Sequence, residues 1–362
     1  MTLSPSPKSC APASEADLDA YCTTGSSPTN PHAGLHVIGL GAVGRALLQS
    51  LNDGPFRLLG VTDSSGTARL DSEAHSPNRI AEIKAQGGSV SSHLSGSPLS
   101  LRAAIDWVDA EVVVDLTATD FTRPEWATAL QQGVLDNGRT LVLAAKDALC
   151  LEAPAWLRGR YAGRLGINAV LGGTGGRLVR ELPYLRTACR SAALVGSAST
   201  TAIIEAIERG CSLDEGIEAA RGRGLLEADP ELDLRGADAA VKLAIVAGAL
   251  RGRAVDPAGI PCEDIRDVDP GTLRRRASEG QTTRLIGRLD ESGGLSLEYE
   301  ALPVEHPLAV PCERVAYLYE CTPAETRAHF GDGLGAENTA AAVYADLEEL
   351  ATHRRLVPGE AQ

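Results

Sequence analysis

Several acidic residues and one lysine are concentrated in the stretch LLEADPELDLRGADAAVK, residues 225–242. Asp238 and Lys242 are four residues apart, so on a helix they lie on one face and can form an ion pair. Every other residue of 237–250 is apolar or glycine, which predicts a buried helix. Burial lowers the pKa of a lysine and a nearby carboxylate raises it, so this amine is suited to proton transfer near neutral pH. The alternative is a lysine whose stem packs on the core while its ammonium reaches water.

Four more carboxylates lie in the proline-containing segment that precedes this predicted helix. They are Glu227, Asp229, Glu231 and Asp233. The helix dipole stabilises acids near its N-terminus, so one or two of them need no further explanation. Four exceed what capping requires, and they predict a site for a cationic group such as a substrate amine.

A glycine-rich segment near the start of the ordered chain predicts a nucleotide site. Gly39, Gly41 and Gly44 form GxGxxG between an apolar strand and a helix, where they allow a tight turn, a close approach of pyrophosphate and close helix packing. Asp63 ends the next strand and can accept hydrogen bonds from the ribose of NAD. The sequence thus predicts NAD or NADP as cofactor, with NAD slightly favoured, although Arg69 can contact a 2′-phosphate. The alternative is a glycine turn in an unrelated α/β domain.

Apolar strands that alternate with helices must position these residues. Unbroken apolar strands predict a doubly wound, Rossmann-type parallel sheet covered on both faces; they are expected from residue 34 and over 56–63, 110–118 and 140–146. Ligands of such sheets bind beyond the carboxyl ends of the strands. Thr117 and Lys146 follow the third and fourth strands, so they are further candidates for this edge. The alternative for Lys146 is a surface lysine that begins a loop.

The pattern changes after this region. Helices are predicted within 199–224 and at 237–250, and strands at 282–290, 295–302 and 313–321, which indicates an α+β domain with a mostly antiparallel sheet. We therefore expect four segments: a disordered tail over 1–33, a dinucleotide-binding domain over 34–150, a second domain over 151–325, and a C-terminal segment over 326–362.

Composition excludes several classes of protein. The chain has 362 residues, 43% of them hydrophobic, and a net charge of −14, which argues against nucleic acid or an anionic membrane as main partner. Its eight cysteines form no CxxC pair and have no zinc-finger spacing, so we expect buried thiols, a reducing compartment and no metal site. Neither a signal peptide nor an apolar run of about 20 residues is present, which predicts a cytoplasmic protein.

Together these motifs resemble those of homoserine dehydrogenases. Residues 39–44 resemble the family's GxGxVG, and 302–309 and 331–347 resemble its L-P-x-x-H-P-L and glycine-rich C-terminal stretches. Its most specific motif, G-Y-x-E-x-D-P-x-x-D-x-x-G-x-D-x-x-x-K, is matched with unchanged spacing at Gly224, Glu227, Asp229, Pro230, Asp233, Gly236, Asp238 and Lys242. The resemblance covers roughly 34–353, so we expect a short form without an appended regulatory domain.

This resemblance implies interconversion of L-homoserine and L-aspartate 4-semialdehyde with NAD or NADP, a step of aspartate-family amino-acid biosynthesis. It implies that the second domain is catalytic and forms a homodimer, and that the C-terminal segment returns to the nucleotide-binding domain. The catalytic residues that it implies are Lys242, Lys146 and Asp238. The implied substrate-binding residues are Glu227, Asp233 and Ser199. The implied cofactor-binding residues are Gly39, Gly41, Ala42, Val43, Gly44, Asp63, Thr117, Lys146 and Gly335.

Four departures from the family pattern affect the expected substrate site. Ala145 replaces an asparagine, SASTT at 197–201 replaces N-G-T-x-N, and Leu225 replaces a tyrosine. Asn168 replaces a carboxylate that the family associates with a monovalent cation, so the presence of that cation here stays open. The departures also leave open a relative that acts on another amino-acid alcohol or aldehyde, and a non-catalytic NAD(P)-binding paralogue.

Overall fold

The described structure begins at the first strand of the nucleotide-binding sheet. The computed structural model of the chain describes residues 33–51, 54–70, 75–121, 124–226 and 230–356. The predicted tail therefore lies outside the described residues except for its last position, and so do the predicted site residue Glu227 and its neighbour Asp229. No helix in the described ranges is long and apolar enough to cross a lipid bilayer.

Six strands form the first sheet, in the order β3-β2-β1-β4-β5-β6. All neighbouring pairs are parallel except β2 and β3, which are antiparallel. The strand order reverses between β1 and β4, the point at which such sheets bind ligands. The elements of this region are β1 (Ala33–Ile38), α1 (Ala42–Ser50), β2 (Phe56–Asp63), β3 (Gly66–Arg69), α2 (Pro77–Ala85), α3 (Val90–His93), α4 (Leu101–Val108), β4 (Val112–Asp115), α5 (Pro124–Asp136), β5 (Thr140–Leu143), α6 (Asp147–Trp156) and β6 (Leu165–Gly166).

Both faces of this sheet are buried, as the unbroken apolar strands predict. Val112 and Val114 of β4 belong to one core cluster, and Val113 between them belongs to the other. Because successive side chains of a strand point to opposite faces, these valines fill a core on each side of the sheet. The prediction of a doubly wound sheet is confirmed, with β3 as an antiparallel edge strand.

Five strands form the second sheet, in the order β11-β10-β7-β8-β9, and all neighbours are antiparallel. The three strands predicted here correspond to β8, β9 and β10, so the prediction of an antiparallel α+β region is confirmed. The elements of this region are α7 (Gly175–Ala188), β7 (Cys189–Val195), α8 (Ala198–Glu208), α9 (Leu213–Gly222), α10 (Glu231–Leu234), α11 (Ala237–Arg251), α12 (Pro270–Ser278), β8 (Gln281–Leu289), β9 (Leu295–Pro303), β10 (Arg314–Cys321), β11 (Glu325–Asp332) and α13 (Ala336–Leu356).

The last helix, α13, packs on α1 of the first region. Its Tyr344 contacts Phe56 edge-to-face, with ring centroids 5.8 Å apart. Val343 and Leu347 of the same helix enter the core cluster of the first sheet. The preceding strand, β11, instead pairs with β10 of the second sheet, so within the described part of the predicted C-terminal segment 326–362 it is α13 that packs on the first region. The division of the chain into domains stays a prediction.

A buried histidine on β1 makes the stability of the fold depend on pH. His36 is fully buried, and its Nε2 lies 2.7 Å from Thr62 Oγ1. Burial, with a smaller effect of the Arg139 charge, lowers the pKa of His36 to about 3. The unfolded chain therefore binds more protons than the folded chain between this pKa and the usual value near 6.5, so stability falls as pH falls below 6.5.

We expect the His36 imidazole to make the free energy of unfolding about 2 kcal/mol smaller at pH 5 than at pH 7.5. Urea unfolding at the two pH values measures the difference. His36→Asn should remove this part of the pH dependence, whatever its effect on absolute stability. His93→Asn, at an exposed histidine, is the control and should keep it. An unchanged pH dependence in His36→Asn would contradict the assignment.

Candidate functional site

Each glycine of the GxGxxG loop occupies its position for a different structural reason. Gly39 has φ +92°, and a Cβ there would lie 2.6 Å from the Leu116 carbonyl. A Cβ on Gly44 would lie 2.2 Å from the carbonyl oxygen of Gly39, so this glycine is required for the contact between helix and turn. Gly41 precedes α1 and has φ −70°, and a Cβ there would meet nothing within 4 Å. The chain thus leaves open space in front of the N-terminus of α1, which begins with Ala42 and Val43.

A cavity of about 770 Å³ lies at this edge of the first sheet. Thr117, which follows β4, lines it; its backbone N–H and hydroxyl both donate to Asp115 Oδ1, at 3.0 and 2.7 Å. Free backbone N–H groups at a helix N-terminus, beside the reversal of strand order, are what a dinucleotide pyrophosphate requires. The residues present therefore fit a dinucleotide. Lining residues also include Gly39, Gly41, Thr62, Asp63 and Lys84.

Asp63 lines this cavity, but protein groups already bind both of its carboxylate oxygens. Oδ1 accepts from the backbone N–H and hydroxyl of Ser65, at 2.8 and 2.5 Å. Oδ2 accepts from Lys84 Nζ at 2.6 Å and from the Val90 N–H at 3.1 Å. Burial opposes ionisation of Asp63, but these donors outweigh it and lower its pKa to about 2. Lys84 therefore neutralises the acid that the sequence assigns to the ribose, and nothing in the sequence pattern indicates this pair.

The two predicted lysines converge on one carboxylate. Lys242 Nζ lies 2.7 Å from Asp238 Oδ2 and also donates to the Gly196 carbonyl at 2.6 Å. Lys146 Nζ lies 3.5 Å from Asp238 Oδ1. Lys146 lies between β5 and α6, at the N-cap of that helix, and the other two residues lie on α11, so the two sheet regions meet at this cluster.

Burial shapes the electrostatics of this cluster. Every residue of α11 from 239 to 250 is buried, and Lys242 itself is only 8% exposed, as the apolar pattern predicts. Burial lowers the pKa of Lys242, although Asp238 acts in the opposite direction. Burial also disfavours the charged form of Asp238, but the ammonium groups of Lys242 and Lys146 outweigh it and lower the Asp238 pKa to about 2. The cluster therefore joins a permanent carboxylate to an amine that loses its proton more easily than an ordinary lysine.

A second cavity, of about 150 Å³, contains this cluster. Thr339 of α13 lines it, and the Thr339 hydroxyl and N–H both donate to the carbonyl of Gly335, at 2.8 and 3.1 Å. Gly335, which is not among the lining residues, is thus hydrogen-bonded to one of them. The remaining lining residues are Ala144, Lys146, Ala169, Gly172, Gly196, Ala198, Asp238, Lys242, Cys312, Glu313, Val315 and Gly333. Sequence reasoning missed Glu313 and Cys312, which lie in a stretch without a recognisable motif.

Two of the three predicted substrate-binding residues lie in the described structure, and they are neighbours. The Ser199 hydroxyl is 3.5 Å from Asp233 Oδ1. The altered segment 197–201 forms the start of α8, where Ser197 accepts a capping hydrogen bond from the Thr200 N–H at 3.3 Å. The third, Glu227, lies outside the described residues.

Asn168 has a structural contact at the position where the family pattern has a carboxylate. Its side-chain oxygen accepts from the Gly176 N–H at 2.7 Å, and its backbone N–H donates to Asp346 Oδ2 at 2.7 Å. Burial raises the pKa of Asp346 to about 8. Within the described residues, no group of three or more His, Cys, Asp or Glu side chains is arranged to hold a metal ion.

Comparisons with known proteins agree on one family. The sequence profile described as homoserine dehydrogenase matches residues 186–347. A homoserine dehydrogenase from Methanocaldococcus jannaschii is 25% identical over 332 residues, which cover 86% of this chain and 96% of that protein. An NAD(+)-dependent homoserine dehydrogenase from Pseudomonas canavaninivorans is 25% identical over 344 residues, covering 86% and 94%. Among solved structures, a hyperthermophilic archaeal homoserine dehydrogenase in complex with NADPH has a TM-score of 0.72 at 21% identity, covering 91% of this chain and 99% of that one.

Proposed function

We propose that this chain is a member of the homoserine dehydrogenase family and that it interconverts L-homoserine and L-aspartate 4-semialdehyde, with NAD or NADP as hydride carrier, since the family model and the curated relatives that it matches agree on this family. The observation that carries the proposal is the convergence of Lys146 and Lys242 on Asp238 in a cavity between the two sheet regions. The cavity of about 770 Å³ at the glycine loop fits the dinucleotide. The reaction is thus the NAD(P)-dependent oxidation of a primary alcohol.

The chain's own residues supply the proton chemistry. A nicotinamide held by the glycine-loop residues would supply the hydride acceptor for the alcohol carbon. In this direction the neutral amine of Lys242 takes the hydroxyl proton at Nζ, and in the reverse direction its ammonium returns that proton to the developing alkoxide. Asp238 Oδ2 and the Gly196 carbonyl fix the position of Nζ. The Lys146 ammonium stabilises negative charge on the substrate oxygen.

The other family residues would bind the ligands. We assign Glu227, Asp233 and Ser199 to the substrate, on the basis of the motif match and, for the last two, their mutual contact. Gly39, Gly41, Ala42, Val43, Gly44, Asp63, Thr117, Lys146 and Gly335 are assigned to the cofactor.

The similarity to homoserine dehydrogenases also supports a homodimer built on the second sheet. Light scattering coupled to size-exclusion chromatography tests it, with twice the chain mass of 37.7 kDa expected. We propose the cytoplasm as location, which the free thiols at the described cysteines 150, 189, 211, 262, 312 and 321 favour.

Reduction of NAD⁺ or NADP⁺ by the purified protein with L-homoserine at alkaline pH tests the proposed reaction. We expect steady turnover with the L-isomer. A protein that binds the cofactor but turns over only other amino-acid alcohols would shift the substrate assignment, as the altered segment 197–201 allows. Cofactor binding without turnover across a panel of such alcohols and aldehydes would favour a non-catalytic paralogue.

Lys84 gives the cofactor cavity a positive charge next to Asp63. Its side chain is 17% exposed, and Lys84 lines the cavity. Lys84→Met leaves the Asp63 carboxylate without its counter-ion, so we expect the ratio of kcat/KM for NAD to that for NADP to rise about 10-fold, because the uncompensated carboxylate repels a 2′-phosphate. Lys84→Arg keeps the charge and should keep the ratio. An equal effect of Lys84→Met on both cofactors would contradict a role at the 2′ position.

A further inference from the structure

One of the four carboxylates that precede α11 is bound by an arginine from a distant segment. Arg266 donates from Nη1 to Oε1 of Glu231 at 3.0 Å and from Nη2 to Oε2 at 3.1 Å. Two parallel hydrogen bonds of this kind fix the orientation of a carboxylate as well as its distance. Glu231 is therefore a structural residue within the acidic segment, residues 227–233, in which the sequence predicts a site for a cationic group.

The contact between Arg266 and Glu231 belongs to a network of four charged side chains. Asp264 Oδ1 accepts from Arg266 Nε at 2.8 Å, and Asp264 Oδ2 accepts from Nη2 at 2.5 Å. The guanidinium of Arg235 lies 3.8 Å from the carboxylates of both Glu231 and Asp264. These side chains are partly exposed, so an isolated pair among them would contribute little to stability. Two guanidinium groups and two carboxylates in one network, with a bidentate contact, instead hold a defined geometry.

The segment that precedes the arginine is anchored to β9 of the second sheet. The Leu297 N–H donates to the Pro261 carbonyl at 2.9 Å, and the Leu297 carbonyl accepts from the Glu263 N–H at 3.0 Å. Between these two contacts, the Cys262 thiol donates to the backbone carbonyl of Arg235 at 2.8 Å. The arginine and this thiol therefore join the end of the acidic segment to a strand of the sheet.

The position of Glu231 determines that of Asp233. Both residues belong to α10, a single helical turn, and the Gly236 N–H donates to the Asp233 carbonyl at 3.0 Å where this turn ends. Gly236 has φ +68°, and a Cβ there would lie 2.5 Å from the Leu285 side chain, so the chain packs closely on β8 at this point. A displacement of Glu231 would therefore move Asp233, whose carboxylate lies 3.5 Å from the Ser199 hydroxyl.

We infer that Arg266 is a positioning residue for substrate binding, which acts through Glu231 to hold the acidic segment, and Asp233 with it, in place before the substrate arrives. The inference deepens the proposed function and rests on it for the role of Asp233. A segment that is ordered in advance binds more tightly, because the substrate does not have to order it. Glu231 itself is engaged by Arg266 and is not assigned to the substrate.

Steady-state kinetics of Arg266→Met test this role. We expect KM for L-homoserine to rise about 3- to 10-fold with kcat changed less than about 2-fold, since the segment must then be ordered on binding while the lysines of the proton transfer are untouched. Arg266→Lys keeps the charge but loses the bidentate contact, and should raise KM less. Arg275→Met, which removes an exposed ion pair with Glu279, is the control and should change neither value. An unchanged KM in Arg266→Met overturns the inference.

A double-mutant cycle tests whether Arg266 acts through Glu231. Glu231→Gln should raise KM for L-homoserine about as much as Arg266→Met does, and the variant with both changes should raise it no further. Effects of the two changes that multiply in the double variant would show independent roles and contradict the route through Glu231.

Hydrogen exchange followed by mass spectrometry measures the positioning itself. In Arg266→Met the backbone amides of 231–236 should exchange at least about 3-fold faster than in the wild type, because the turn loses its link to the sheet. The amides of β1 and α1 are the internal control and should keep their rates. Unchanged exchange over 231–236 overturns the inference.

Calorimetry keeps this inference separate from the proposed reaction. Titration of the wild type and Arg266→Met with L-homoserine, both loaded with NADH, measures affinity without turnover because NADH cannot accept a hydride. An affinity that is about 3- to 10-fold weaker in the variant supports the inference even if the wild type does not oxidise L-homoserine, and only the proposed reaction then fails. Equal affinities, or no binding of L-homoserine by the wild type, overturn the inference.

Discussion

Lys242→Met is expected to lower kcat for L-homoserine oxidation by about 10²- to 10⁴-fold, the usual contribution of a positioned proton-transfer group. Methionine fills a similar volume in the buried helix but cannot take the hydroxyl proton. The dissociation constant of the cofactor should change little, because the glycine-loop cavity contains no part of α11. Stopped-flow and steady-state kinetics measure the first effect, and fluorescence titration with NADH or NADPH measures the second. A variant with wild-type kcat would contradict the assignment of Lys242.

The pH profile distinguishes a proton-transfer role of Lys242 from a structural one. Burial lowers the pKa of Lys242, so its neutral form appears at lower pH than for an ordinary lysine. Oxidation needs that neutral amine, and kcat of the wild type should therefore rise with pH along a limb centred below about 10.4. Any residual activity of Lys242→Met should lack this limb. The same limb in both proteins would assign the proton transfer to another group.

Gly41→Val is expected to weaken cofactor binding by about 100-fold or more, about 3 kcal/mol, while the fold is kept. The φ of −70° suits any residue, and a Cβ at this position meets no protein atom within 4 Å. The new side chain would instead occupy the approach to the N-terminus of α1, where the pyrophosphate is expected. Titration with NADH and NADPH measures the affinity, and thermal unfolding confirms the fold.

Two glycine variants complete this comparison. Gly133→Val also projects into open space, away from the cavity, and should leave cofactor affinity unchanged. Gly44→Ala places a Cβ 2.2 Å from the Gly39 carbonyl oxygen, so it should lower the Tm as well as the affinity. If Gly41→Val binds the cofactor as the wild type does, the pyrophosphate does not lie at this loop.

Local geometry explains which parts of the site the sequence could predict. The pairing of Asp238 with Lys242 follows from a four-residue spacing on a helix, and the apolar run around them predicts that this helix is buried. The approach of Lys146 to the same site follows less directly, from its position after a parallel strand. These predictions depend on short stretches of chain, and the geometry agrees with them.

Contacts between segments that are far apart in the sequence could not be predicted from such local patterns. Glu313 lines the catalytic cavity of about 150 Å³ because β10 is positioned by its pairing with β7 and β11. The sequence patterns predict neither of these strands, and β7 is also distant from β10 along the chain. The strand β11, ETRAHFGD, has no apolar alternation because it is an edge strand with several exposed positions. The contact of Lys84 with Asp63 likewise depends on how α2, which packs against α1, places Lys84 next to the end of β2. The sequence therefore predicts the proton-transfer pair but not the charges that surround the two ligands.

Transfer of deuterium from L-[4,4-²H₂]homoserine to the oxidised cofactor tests the central claim most directly. Mass spectrometry of the reduced nicotinamide formed by the wild-type protein measures the transfer. If the enzyme oxidises the alcohol carbon of homoserine by hydride transfer, each NADH or NADPH should carry one deuterium, and Lys242→Met should form far less of it in the same time. Reduced cofactor without deuterium, or none from a well-folded protein that binds both NAD and L-homoserine, would contradict the proposed reaction.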